Sequence, residues 1–222
     1  MVRRPQTNPR KSASQKRSRA TVDALVEATA RVLTKDGYDR ASTNKIAETA
    51  GVSIGSLYQY FPSKEALVAA VIERHTQELS EVVRDAMDRV AGSPIAVAAR
   101  ELVAAGIEAH RADPKLHRVL AEQVPRIGRL EQIEAVERNG RLFFRAYLET
   151  RKGEIGMEDL DLAAFIVITT VEALTHNAVL RRPDILEEKG EAFVDEVTQL
   201  VLRVLRAPAE MSRVRRPLTR AS

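Results

Sequence analysis

Apolar residues recur at helical spacing through most of the chain. From Thr21 to Lys35, Val22, Leu25, Val26, Thr29, Val32 and Leu33 share one face, and Gly37 comes next as a C-terminal cap. Ser42 reads as the N-cap of a short second helix through Ala50; Lys45 stands three positions on, so no capping box is completed. Gly51 breaks that helix. Ser53 caps a third short helix that ends before Pro62, and Ser63 caps a long fourth one running to about Arg89. Beyond Ala91-Gly92-Ser93-Pro94 the pattern predicts helices over about 95–112, a short one to about Glu122, and others over about 129–151, 158–181 and Leu186–Arg206. The stretch Ala163-Ala164-Phe165-Ile166-Val167-Ile168 is apolar all round and is expected to be buried. Phe193, Val194, Val197, Leu200, Val201, Val204 and Leu205 form a stripe on the last helix. No segment shows sustained strand alternation between hairpin signals, so the expected fold is all-α.

Composition narrows the picture. The chain has 222 residues, 44% apolar and 30% charged, the balance of a globular protein. It has no cysteine, which excludes disulfides, thiol catalysis, iron–sulfur clusters and cysteine zinc sites. No apolar run reaches the roughly 18 residues of a membrane span and no secretory signal is seen, so a cytoplasmic location away from membranes is expected. The net charge of +4 is unevenly spread: residues 1–74 hold 13 Lys/Arg against 7 Asp/Glu, and the remainder 22 against 24. The first third therefore suits a polyanion such as nucleic acid. Residues 1–20 carry seven basic residues and no acid, and 207–222 contain Arg213, Arg215, Arg216 and Arg220. Both are expected to be disordered basic tails, either solubilising or touching DNA.

The most informative segment is 42–61, where two short helices meet at a tight turn. Ala47 is small where the helices must cross, Gly51 supplies a positive φ, and Ile46, Ala50, Val52 and Leu57 can close a small core. This is the helix-turn-helix design, whose second helix enters the DNA major groove. Ser53, Ser56, Tyr58 and Gln59 would face the groove, and Gly55 would permit close backbone approach.

Gly37-Tyr38, Ile46-Ala47, Ala50-Gly51-Val52-Ser53, Gly55, Leu57-Tyr58, Tyr60-Phe61 and Ser63-Lys64-Glu65 together resemble the signature of TetR-family transcriptional regulators over about residues 21–70. Where members commonly carry Thr-Thr at the start of the second helix, this chain has Ala41-Ser42. The resemblance implies a three-helix DNA-binding domain over 21–67, then a larger helical ligand-binding and dimerisation domain over 68–206. It implies a homodimer that reads a palindromic double-stranded operator and responds, commonly by release, to a small-molecule effector of unknown identity. Carried over by position, Ser53, Ile54, Gly55, Ser56, Tyr58 and Gln59 are the base-facing candidates. Ser42, Thr43, Asn44, Tyr60 and Lys64 are the phosphate candidates, Tyr60 being equally a ring that bridges helices.

By the same resemblance the last two helices form the dimer interface, although their apolar stripes could also pack within one subunit. His117, Gln123, Phe143, Tyr147, Thr169, Glu172 and His176 fall on segments that line effector pockets in the family, with core or surface roles open to each. His110, Asp113 and His117 have a spacing that could suggest a metal site, but Pro114 interrupts the helix between them, so neither metal nor cofactor is expected. No nucleophile–base order, carboxylate pair or phosphate loop stands out, and no enzymatic activity is expected. An architectural DNA-binding protein without an effector is the alternative.

Overall fold

The computed structural model describes residues 16–127 and 131–206, with side chains for 18–121 and 134–206. Among the described residues there is no strand, and the helices are α1 (Lys16–Asp36), α2 (Thr43–Ala50), α3 (Ile54–Tyr60), α4 (Lys64–Arg89), α5 (Ile95–Arg111), α6 (Pro114–Ile127), α7 (Glu131–Glu149), α8 (Leu160–Leu180) and α9 (Pro183–Leu205). A 3-10 turn lies at Lys152–Glu154.

Local chemistry explains the boundaries. Ser42 accepts the Lys45 N–H (3.3 Å), Ser53 that of Ser56 (3.1 Å) and Ser63 that of Ala66 (3.2 Å), so the three predicted serines do cap α2, α3 and α4. Asp113 caps α6 and Asp159 caps α8 in the same way. Gly37 and Gly51 hold φ of 76° and 68°. At Gly51 the N–H donates to the Glu48 carbonyl (3.1 Å), while the Val52 N–H donates to that of Ala47 (3.0 Å), the paired closure of a Schellman turn.

Three expectations are corrected. α1 begins at Lys16 rather than Thr21, inside the expected tail, because Lys16, Arg17, Arg19 and Ala20 are good helix formers that extend an existing helix without new nucleation. The rest of that tail and all of 207–222 lie outside the described residues. α6 runs on to Ile127, five residues past its expected end. α9 starts at Pro183, where proline suits the first helical turn, and is interrupted at Lys189 (φ −139°, ψ 29°) just before Gly190.

The chain divides into two compact units. The first takes the described residues up to Arg84 together with Ile107–Asn139; the second takes Asp85–Gly106 together with the described residues from Gly140. Packing brings α6 into the first unit. Leu116 and Leu120 of α6 are buried in the same apolar cluster as Leu25, Leu33, Ile46, Leu57, Phe61, Leu67 and Val71. Each fully buried aliphatic chain there contributes about 1.5–3 kcal/mol.

In the second unit α8 packs along α9. Val167, Val171 and Ala178 of α8 and Val197, Val201 and Leu205 of α9 are buried. Thr175 and Thr198, buried among them, return their hydroxyls to the carbonyls of Val171 (2.8 Å) and Val194 (2.6 Å). The N–H groups of Gly156 and Met157 close the end of α9 by donating to the Leu205 carbonyl. α8 is long and apolar enough, by length and composition, to cross a membrane. Nine of its residues are buried, while Leu162 and Phe165 remain exposed.

Two substitutions test this packing. A Cβ at Gly51 would meet nothing within 4 Å, so Gly51→Ala carries only the left-handed backbone cost, about 1–2 kcal/mol, read as a lower urea midpoint at unchanged slope. Leu57→Ala, at a fully buried position, is expected to cost about 2–5 kcal/mol in the same measurement.

Candidate nucleic-acid interface

α3 has seven residues and divides them sharply. Leu57 and Tyr60, with Phe61 just beyond, point inward and are buried. Ser53, Gly55 and Gln59 are exposed, as are the large side chains of Ile54 (39%) and Tyr58 (42%); Ser56 is half-buried. The base-facing candidates thus share the outer side of one short helix whose inner side anchors it. Two exposed apolar or aromatic groups on that face offer contact surface for thymine methyl groups, and Gln59 offers an amide able to pair with adenine.

Polar ties fix the angle of this helix. The hydroxyls of Thr43, at the start of α2, and Tyr58 lie 3.0 Å apart. The same pair therefore joins a phosphate candidate to a base candidate. Ser42 and Asn44 are exposed beside Thr43 at the α2 N-terminus, where amides and helix dipole favour an anion. Ser42 accepts the Lys45 amide, and its hydroxyl proton can still be donated outward.

The other two phosphate candidates are tied into the fold. Tyr60 is buried, and its hydroxyl accepts a hydrogen bond from Ser18 of α1 at 3.1 Å. Lys64 is half-buried, donates to the Tyr38 carbonyl at 3.0 Å and sits 3.9 Å above the Tyr38 ring. Its ammonium keeps further N–H groups for a phosphate. Next to it, burial works to raise the Glu65 carboxyl, but its own amide, the Ser63 hydroxyl, the Tyr38 hydroxyl (3.2 Å) and Lys64 outweigh that. Together they hold it below the ordinary carboxylate range. An ion pair from Lys45 to Asp36 (2.7 Å) links α2 to the end of α1 and lowers the Asp36 carboxyl. Sequence reasoning gave no contact role to Tyr38, Ser18 and Asp36, because their partners stand 9 to 42 residues away.

The effector candidates fall on helices of both units. His117 is buried on α6 in the first unit. Gln123 lies on α6 too, but its side chain is outside the described residues. In the second unit Phe143, Thr169 and Glu172 are exposed on outer helix faces, Tyr147 is buried beside Phe144 (ring centroids 6.1 Å apart), and His176 is half-buried. Burial and Arg181 both push the His176 imidazole below its ordinary value. A cavity of about 680 Å³ opens in the first unit between α1, α4 and the α5–α6 turn. None of the seven candidates lines it; His75 does, with Glu27, Arg31, Arg74, Glu78 and Asp113 around it.

Comparison with known proteins gives this head its context. Residues 25–71 match the family described as bacterial regulatory proteins, tetR family, and residues 94–205 match the tetracyclin repressor-like C-terminal domain. The chain is 35% identical over 86 residues to the nucleoid occlusion factor SlmA of Haemophilus ducreyi (strain 35000HP / ATCC 700724), a stretch covering 39% of this chain and 42% of that protein. It is 43% identical over 63 residues to the HTH-type transcriptional activator FasR of Mycolicibacterium smegmatis, covering 28% and 29%. The chain thus spans less than half the length of these curated relatives. The fatty acid degradation regulator FadR from Bacillus halodurans has the same fold (TM-score 0.63, 24% identity, 82% of this chain and 94% of that one). So has a bacterial regulatory protein in the tetR family from Rhodococcus RHA1 (TM-score 0.60, 18% identity, 85% and 98%). With its reading head and most of its C-terminal region matched to the two halves of one family, this chain belongs to the TetR family of DNA-binding transcriptional regulators, which are not enzymes.

Proposed function

We propose that the protein is a homodimeric repressor that reads a palindromic operator through α3 and leaves it when a small molecule binds. The observation that carries this reading is the outward face of α3, where Ile54, Tyr58 and Gln59 stand exposed on a helix anchored by buried Leu57 and Phe61. Ser42, Thr43 and Asn44 at the start of α2 supply phosphate contacts that set the register, assisted by Lys64. Repression, rather than activation, is taken from the family's common logic; among relatives of this chain, FasR is named an activator and KstR of M. smegmatis a repressor.

Pairing of two subunits is supported by apolar surface on the last two helices. Leu162 and Phe165 of α8 and Leu200 of α9 are 46%, 53% and 40% exposed. A second copy of the same two helices covers such surface as a four-helix interface. Effector binding belongs to the second region, where Tyr147 and His176 are the candidates that face inward; its effect must equal its differential affinity for the two states of the dimer.

Selection from a random duplex pool near physiological salt tests the reading. The expected result is an enriched palindrome with half-sites about one helical turn apart. Gln59→Ala should then alter base preference at one position per half-site, costing about 1–3 kcal/mol there, while Lys64→Ala weakens all sequences alike. Steeply salt-dependent binding without any enriched sequence would instead establish the architectural alternative. For the dimer, the double variant Phe165→Glu, Leu200→Glu should sediment as a monomer; unchanged sedimentation would remove α8 and α9 from the interface.

A further inference from the structure

The cavity of about 680 Å³ is lined from within the first unit alone, and none of the DNA-facing candidates takes part in it. Its volume is that of a site for a small organic molecule. Part of its wall is apolar: Ala30 of α1, Leu79 and Val82 of α4, Ala109 of α5 and Leu116 of α6. Ala30 and Leu116 also belong to the buried cluster that holds α3.

The charged part of the wall is unevenly matched. Arg74 is held by Glu27 at 3.3 Å and by Glu78 at 3.7 Å. Asp113 is engaged as the cap of α6, accepting the Leu116 N–H. Arg31, Lys35 and Lys115 line the same cavity, yet among the described residues none of the three has a hydrogen bond or an ion pair. Asp36, next to Lys35 in the chain, is taken by Lys45 at 2.7 Å. His75 adds no charge, because burial pushes its imidazole below the ordinary value against the pull of Glu78 and Asp113. Its Nε2 is already occupied, 2.7 Å from Nδ1 of His117, whose ring lies beside that of His110 (centroids 4.7 Å apart). Arg31, Lys35, Arg74 and Lys115 thus stand against Glu27, Glu78 and Asp113, an excess of one positive charge.

We propose that this cavity binds an amphipathic organic monoanion, a carboxylate or sulfonate carried on a compact apolar body. Arg31 and Lys35 stand one turn apart on the same side of α1, close enough for one acid group to bridge them. Lys115, in the first turn of α6, adds to the field that draws the anion in. The body of the ligand leaves water against Leu79, Val82 and Leu116. Charge balance sets the class. A monoanion cancels the excess, whereas a second negative charge would face Glu27, Glu78 and Asp113 with no cation left over. A cationic ligand would find each of those carboxylates already paired or capping. The site is separate from the effector site proposed for the second region, and binding here requires neither that reading nor the DNA-binding one.

The test uses the full chain and anilinonaphthalene sulfonate, an aromatic monoanion whose emission rises when it leaves water. Saturable binding of one probe per chain is expected. Naphthoate should displace it, and neutral naphthamide should do so at least about tenfold less well, since charge-assisted hydrogen bonds hold the acid group. The triple variant Arg31→Gln, Lys35→Gln, Lys115→Gln should weaken probe binding about tenfold or more. Ala112→Trp, which places a large ring at the wall from an exposed position, should abolish it. All four positions are exposed, and circular dichroism checks that the variants fold. Phe165→Glu, Leu200→Glu, which removes exposed apolar surface from the second unit, should bind the probe as the native chain does. Equal displacement by naphthamide, binding unchanged in the triple variant or in Ala112→Trp, or binding lost in Phe165→Glu, Leu200→Glu would overturn the proposal.

Discussion

Helices of eight and seven residues do not persist alone in water, because the cost of nucleating each is spread over too few hydrogen bonds. α2 and α3 exist because Ile46, Ala47, Leu57 and Phe61 are held in an apolar cluster with Leu25, Leu33, Leu67 and Val71. Every feature of the reading head rests on that burial. The outward set of α3 is exposed because its inward set is trapped, and the fixed angle between the helices comes from Gly51 and the two amides that close the turn around it. Leu116 and Leu120 extend the same cluster to α6. α6 is thus joined to α3 through packed side chains rather than through a loop.

Polar groups refine what the cluster positions. Thr43 and Tyr58 join the outer ends of α2 and α3, Lys64 closes on Tyr38, and Ser18 reaches Tyr60. Each such bond is worth on the order of 1 kcal/mol, too little to make the fold but enough to select one orientation of a helix already confined. Buried threonines act on the same principle: Thr29, Thr175 and Thr198 satisfy their hydroxyls on carbonyls four residues back and so pass as apolar. In the second unit Arg100 spans to Glu191 and Asp195, exposed pairs that orient α5 against α9 and add little stability.

The histidine cluster is of a different kind. An apolar core gains nothing from buried imidazoles that aliphatic side chains would not supply better, since each brings polar nitrogens that must be satisfied. His75 and His117, both buried, meet that demand on each other at 2.7 Å.

Much of this was written in the local pattern. Serine caps, the glycine turn and the alternation of apolar and polar positions over 42–61 act over a few residues, so Ser42, Gly51, Ser53 and Leu57 could be assigned from sequence alone, and the inner face of α3 then defined the outer one. The burial of the effector candidates was not legible, since spacing along a helix says which face a side chain shares but not what that face meets. Phe143 and Thr169 proved exposed, and Tyr147 buried. Nor could the pattern bring His75 to His117 across 42 residues, or show that the break at Pro114 joins rather than parts His110 and His117. Periodicity is set by each helix's own geometry; which helices meet is decided by how their apolar faces are jointly buried, and only the folded chain settles that.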